Sequence, residues 1–366
     1  MGRVSDDATV ESDESEEYSA DVVDTTDERS ELWLDRYARL FGFGRLADGL
    51  PWAVPPSYLY AVTTVVVWRV FSISYSLASD IPLIHEINPY FALQPLILLG
   101  AVYGARSLSR RYDRVMTEMR IEERASDPEL LRNPSGPRVP WILFGVAAGL
   151  QLGRATLDVA AFTETGMVAN FVVFPFVYAP ILVQFAVVYV GIEFLAPWRL
   201  SRSDVGVDFL DPHGVGGLRP LGELVKTAYY YVVAGLLAYA LITYAPFVST
   251  PEWSVSAAAG TIFTAAWIVS VGTVAFAVFT LHRFMRREKR AELRRLEDDR
   301  RALIDDPWNV RAYEIPDSKR DRLDDLERRI DRVSATREYP ATFSIWTQLL
   351  LSVAVPKGLQ LVLANL

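Results

Sequence analysis

The chain has 366 residues, 51% of them apolar, no cysteine and a formal net charge of −8. The missing thiols exclude disulfides, thiolate metal sites and cysteine nucleophiles. A mean hydropathy of only +0.16 at that apolar content calls for long apolar segments offset by strongly polar ones. The net charge also conceals an asymmetry. Residues 1–35 hold thirteen carboxylates, whereas 106–138 and 282–339 are rich in Arg, and only four of the 37 basic residues are Lys. Acidic character with Arg in place of Lys suits a salt-adapted prokaryote such as a halophilic archaeon.

Residues 1–30 are acidic and poor in large apolar side chains. They cannot bury enough surface to offset the entropy of ordering, so a disordered cytoplasmic tail is expected. They also lack the basic start, apolar middle and small-residue cleavage site of a signal peptide. In 31–50, Trp33, Tyr37, Leu40, Phe41 and Gly44 recur at helical spacing with Asp35, Arg36 and Arg39 between them. That pattern predicts an amphipathic helix lying along the inner membrane face.

Seven apolar runs follow, near 57–78, 88–105, 139–162, 168–196, 222–246, 257–281 and 340–366. A hydrocarbon core ~30 Å thick takes about 20 residues of helix, and each run is long enough. The segment before the first run carries five basic residues, and the gaps after the second, fourth and sixth carry eight, three and seventeen. The gaps after the first, third and fifth carry none. Basic residues near membrane helices stay on the cytoplasmic side. The expected fold is therefore all-α and polytopic, with seven transmembrane helices, the amino terminus inside and the carboxyl terminus outside. Helices 1–6 occupy 57–281, joined inside by loops 106–138 and 197–221. A plasma-membrane location follows, with the lipid bilayer as the first partner.

Between the runs the inner segments also read as helical. Leu108, Tyr112, Val115 and Met119 continue the second helix beyond its apolar part, and the chain then breaks at Asn133-Pro134-Ser135-Gly136-Pro137. Residues 207–224 surround His213 with glycines but lack P-loop spacing and its terminal Lys, so a tight helix–loop–helix connection is expected. The sixth helix can run on through Leu293, Leu296 and Leu303 until Asp305-Asp306-Pro307 stops it. A further helix starts at Pro316-Asp317, and its Leu323, Leu326, Ile330 and Val333 follow three-four-three spacing. Two heptads are too short to stand alone. Residues 282–339 are thus expected to form a cytoplasmic helical anchor, packed on itself and on neighbouring subunits, before 340–366 crosses last.

Ionisable groups inside membrane helices are expensive and usually face the bundle interior. They are Arg69, Arg154, Asp158, Glu193 and Lys357. At ~1.5 Å per residue, Arg69 and Arg154 lie roughly 18 and 22 Å from the inner boundary. Asp158, one turn from Arg154, is available to either, as a structural ion pair or as part of a polar pocket. On the seventh helix Ser344, Gln348 and Ser352 repeat at four-residue spacing with Thr347 beside them. This stripe can line a water-filled path or join neighbouring helices. His85, His213 and His282 lie on different loops or faces, and no metal, cofactor, nucleophile-elbow or dinucleotide motif is present. Neither an enzyme nor a cofactor is expected. Acidic residues interleaved with the inner Arg argue for lipid headgroups and against nucleic acid.

Two resemblances rest on these residues. Asp211-Pro212-His213-Gly214-Val215-Gly216-Gly217-Leu218-Arg219-Pro220-Leu221-Gly222 resembles a loop of prokaryotic multispanning proteins, His-Pro-Asp-x-x-Gly-Gly-Leu-x-x-Leu-Gly, with its polar residues reordered. It implies no activity. The seven-helix plan, inner amino terminus and last helix split by an inner anchor resemble the insect odorant and gustatory receptors and their remote gustatory receptor-like relatives. The family's final-helix signature is Thr-Tyr, five apolar residues, then Gln-Phe. This chain has Thr342-Phe343, four residues, then Gln348-Leu349. The resemblance implies a tetrameric homo-oligomer gated by a small ligand, conducting cations along the final helices, with Thr342 and Gln348 as pore-helix positions. Lys357 departs from this, because a fixed cation raises the barrier in a cation pore. The outer gaps offer Asp80, Glu86, Glu164 and Glu252 and no basic residue, which would concentrate cations at an entrance. Two other readings stand beside it: a transporter or sensor using Arg69, Arg154 and Asp158, and a non-conducting scaffold.

Overall fold

The structure, a computed structural model, describes residues 31–78, 93–133, 135–157, 167–244, 257–304, 308, 317–339, 354–355 and 357–362. Every regular element among them is helical. In chain order these are α1 (Trp33–Leu40), α2 (Phe43–Asp48), α3 (Pro56–Ala78), α4 (Leu93–Glu118), α5 (Ile121–Arg124), α6 (Pro128–Arg132) and α7 (Val139–Leu157). Then Val168–Tyr178, Ala179–Val190, Gly191–Leu195 and Ala196–Leu200 run end to end as one rod, α8. After it come α9 (Arg219–Tyr244), α10 (Ala257–Leu303) and α11 (Asp317–Ala335).

Among the described residues four helices are long and apolar enough to cross a membrane: Pro56–Ala78, Phe171–Leu200, Arg219–Tyr244 and Gly260–Leu303. Val139–Gly153 is a shorter apolar helix. Their outward faces stay greasy, with Val66, Val70, Ile142, Val146, Val269 and Phe279 exposed. Exposed apolar surface on this scale suits lipid rather than water. The acidic tail 1–30 and the last run from 340 to 353 lie outside the described residues.

Two stretches of α8 depart from regular α-helix. Pro175 sits inside the first part of α8. Proline has no N–H and clashes with the carbonyl four residues back, and the backbone there widens to i→i+5 bonding. The rod widens a second time at Gly191–Leu195. Helix α1 ends where Gly42 takes φ +84°, a left-handed geometry that glycine adopts without strain.

The Arg-bearing segments gather at one end of the bundle. Arg199 donates to the carbonyls of Leu130 and Asn133, and Arg124 donates to the carbonyl of Gly206. The Ser126 N–H reaches both Asp204 carboxylate oxygens at 3.2 Å. Beneath these contacts lies the larger apolar core, where Leu108 and Tyr112 of α4, Ile192 of α8, Leu221 of α9 and Leu281 of α10 pack together. Gly104 makes the α4–α9 approach possible, since a Cβ there would stand 2.9 Å from the Tyr231 ring.

Helix α10 spans 47 residues, about 70 Å at ~1.5 Å each, and so outruns its apolar part. Helix α11 folds back antiparallel against this extension. Leu326 and Val333 pack on Leu296, flanked by Leu293, Leu303, Ile330 and Phe209, and Leu323 is also buried. Lys289 Nζ donates to the Ser334 and Thr336 carbonyls at 2.7 Å each, satisfying acceptors that every helix carboxyl end leaves open. Beyond it, Tyr339 stacks on His282 with ring centroids 4.2 Å apart.

Candidate functional site

The polar chemistry of the bundle is concentrated around α1. Sequence spacing puts Asp35 with Arg36 and Arg39 on a solvated face, but Asp35 is only 2% exposed. The reason is that α1 packs against α3 and α8, so Leu34, Asp35 and Ala38 all face protein. The Asp35 carboxylate accepts the Arg106 guanidinium at 2.5 Å, the Leu32 N–H at 3.1 Å and the Ser57 N–H at 3.1 Å. One side chain therefore caps α1, caps α3 and neutralises a buried cation on α4. Gln184 of α8 completes the attachment by accepting the Leu34 N–H at 2.9 Å. Trp33, Tyr37, Phe41 and Phe144 form an aromatic cluster over it, with Tyr37 and Tyr60 edge-on at 5.6 Å.

A cavity of about 660 Å³ opens beside this attachment at the basic end of the bundle. Tyr112, Asp113, Glu122, Arg132, Asn133, Val188 and Gly191 are among its walls. Arg132 pairs with Glu122 at 2.6 Å. Burial pushes the Asp113 carboxyl up to about 6, against the opposing pull of Arg132. The cavity thus offers one acid that titrates near neutrality and fixed charges of both signs, which suits water or a small polar solute.

The 201–218 connection is ordered by Asp211. Its carboxylate accepts the backbone N–H groups of His213 at 2.9 Å, Val215 at 3.1 Å and Gly217 at 2.9 Å. Partial burial raises its pKa, but those three bonds together outweigh it and hold the group below the usual carboxylate range. Gly214, Gly216 and Gly217 all take positive φ. The loop receives the anchor: the Arg337 N–H donates to the Gly214 carbonyl at 2.8 Å.

Arg69 lies on α3, near Tyr178 of α8. Arg154 lies on α7, but its side chain and the whole of Asp158 fall outside the described residues. So do Thr342, Ser344, Thr347, Gln348 and Ser352, together with Asp80, Glu86, Glu164 and Glu252, the carboxylates expected outside. Lys357 is described, and it turns into its own bundle. Its Nζ donates to Gln360 Oε1 at 2.6 Å and to Thr264 Oγ1 at 3.2 Å, while Gln360 Nε2 donates to the Tyr244 hydroxyl at 3.0 Å. Glu193 is fully buried and faces α10, where Thr273 Oγ1 lies 3.0 Å from its Oε2.

Sequence reasoning missed Asp35, Gln184, Tyr189 and Thr273. The one usable signal was Asp35 three residues after Leu32, a capping-box position. Among the described residues no group of three His, Asp or Glu is placed to hold a metal ion. Comparison with known proteins returned no matching family model, no matching curated protein and no matching solved structure.

Proposed function

We propose that this protein is a seven-pass, oligomeric, ligand-gated cation channel of the cell membrane, with its amino terminus inside and its carboxyl terminus outside. Residues 340–366 make the last crossing beside the conduction path. The α10–α11 hairpin is the cytoplasmic anchor through which subunits meet, four in number by the receptor resemblance.

One observation carries the reading. Tyr339 stacks on His282 of α10, and Lys357 is bonded to Thr264 of the same helix. Thr264 and His282 stand eighteen residues apart on α10, about 27 Å at ~1.5 Å per residue. The interval from 339 to 357 has the same number of residues, the length that a helical crossing of that distance would need. A last helix broken by an inner anchor is the feature shared with the odorant and gustatory receptors. Lys357, held by Gln360 and Thr264 of its own subunit, is drawn toward the bundle, which eases the objection that a cation there would oppose conduction. The clustering of the basic segments at one end supports the inside assignment of that end.

Two measurements test separate parts. A tag fused after Leu366 is expected to be reachable only from outside the cell, and exclusive inside access would overturn the odd number of crossings. Liposomes bearing the folded protein are expected to show cation flux with some member of a broad small-molecule screen. No flux from correctly folded oligomers would overturn the channel.

A further inference from the structure

We propose that Glu193 is a proton-binding site, a carboxylic acid held un-ionised between α8 and α10. Glu193 is 0% exposed and sits in the second widened turn of α8, Gly191–Leu195. Such turns in otherwise regular helices are frequent at functional positions. Among the described residues its surroundings hold oxygen atoms and no cation. Tyr189 is one turn back on the same rod, with Tyr229 of α9 beside it. Helix α10 presents the Thr273 hydroxyl 3.0 Å from Glu193 Oε2, and the Tyr189 hydroxyl lies 3.0 Å from Thr273 Oγ1. The Ser270 carbonyl is 2.9 Å from Thr273 Oγ1 and 3.4 Å from the Tyr189 hydroxyl. Among the described residues Glu193 Oε1 has no hydrogen-bond partner.

The missing counter-ion sets the protonation state. An ionised carboxylate has about four acceptor positions, and here two neutral hydroxyls at most, those of Thr273 and Tyr189, reach it. Even with both hydroxyls donating, a full negative charge stays buried with no counter-ion among the described residues. Such a charge in a membrane helix is strongly unfavourable. With a proton on Oε2 the chain closes. Glu193 donates to Thr273 Oγ1, Thr273 donates to the Ser270 carbonyl, and Tyr189 donates to either oxygen. Oε1 is then a neutral carbonyl, and its lack of a partner is tolerable.

The site has a route to water on one side. Gly191 and Ile192, the two residues before Glu193, line the inner cavity together with Val188. On the other flank Phe194 stacks on Phe276 with centroids 4.3 Å apart. Exchange of the proton therefore runs through the inner end, past a backbone that the widened turn has already loosened. The inference stands on this geometry and does not need the protein to conduct.

Infrared difference spectroscopy tests it on the full chain in phosphatidylcholine liposomes. At pH 7 the wild-type minus Glu193→Gln spectrum is expected to contain the carbonyl stretch of one un-ionised carboxylic acid. Glutamine keeps the shape of the neutral acid, so that variant is expected to fold. Thr273→Val leaves Glu193 in place and removes the hydroxyl bonded to its Oε2, so the same band is expected to shift to higher frequency. That second variant identifies the acid even if the first is poorly folded. Absence of the band at pH 7, or its appearance only after sodium is withdrawn, would overturn the proposal, the latter outcome marking a metal-cation site instead.

Discussion

Replacing Asp35 by Ala perturbs the attachment of α1 at its centre. The substitution removes the counter-ion of Arg106 at 2.5 Å and leaves the Leu32 and Ser57 N–H groups without their acceptor. Among the described residues Arg106 then keeps Ser57 Oγ at 3.3 Å and the Tyr58 ring at 5.6 Å, and its Nε already has no partner there. Removing one member of a buried pair costs about 3–5 kcal/mol. Each orphaned buried N–H adds roughly 1–3 kcal/mol, although local relaxation prevents these from adding fully. A loss of about 4 kcal/mol is expected for Asp35→Ala. Arg106→Met keeps the volume, frees the carboxylate instead and is expected to lose about 3 kcal/mol. The double variant no longer strands either charge, so it is expected to recover about 2 kcal/mol relative to the sum. Reversible unfolding in mixed detergent micelles, followed by tryptophan fluorescence, reports all three, since Trp33 is buried beside the pair. A loss below about 1 kcal/mol for Asp35→Ala, or strict additivity, would refute the claim that this pair holds α1 in the bundle.

Asp113, with its carboxyl raised to about 6 by burial, binds its proton more tightly folded than unfolded. Stability is therefore expected to fall as pH rises from about 4 to 6 and to level off above. Asp113→Asn should flatten that slope and gain on the order of 1 kcal/mol at pH 7, allowing for the group's partial exposure. Thermal unfolding across that range checks the sign. Gly214 and Gly216 share positive φ, +65° and +67°, but only at Gly216 would a Cβ meet a neighbour, Val207 Cγ1 at 2.4 Å. Gly214→Ala should lose about 1–2 kcal/mol from backbone strain alone, and Gly216→Ala measurably more; equal losses would contradict the packing. Leu326→Ala empties part of the α10–α11 seam and is expected to lose about 2–4 kcal/mol. Faster amide exchange confined to α11 is the readout.

Much of the local architecture was legible in one dimension. Helix α10 stops at Leu303 and α11 starts at Asp317, next to the Asp-Asp-Pro and Pro-Asp breaks at 305–307 and 316–317. Helix α4 carries its apolar stripe past Arg106 into Leu108, Tyr112 and Val115, as their spacing requires. Such features depend on a few neighbouring residues, because helical periodicity, capping and proline geometry act over one or two turns. Which faces meet is a different matter. Asp35 pairs with Arg106 across 71 residues, Leu34 with Gln184 across 150, and Glu193 with Thr273 across 80. An isolated acid between aromatic positions reads as solvated until another helix covers it. Only the packing of α1 against α3 and α8 decided that Asp35 is interior, and only the widened turn of α8 together with α10 decided the setting of Glu193. Local pattern sets where helices begin and end, whereas burial belongs to pairs of surfaces that the order of residues does not bring together.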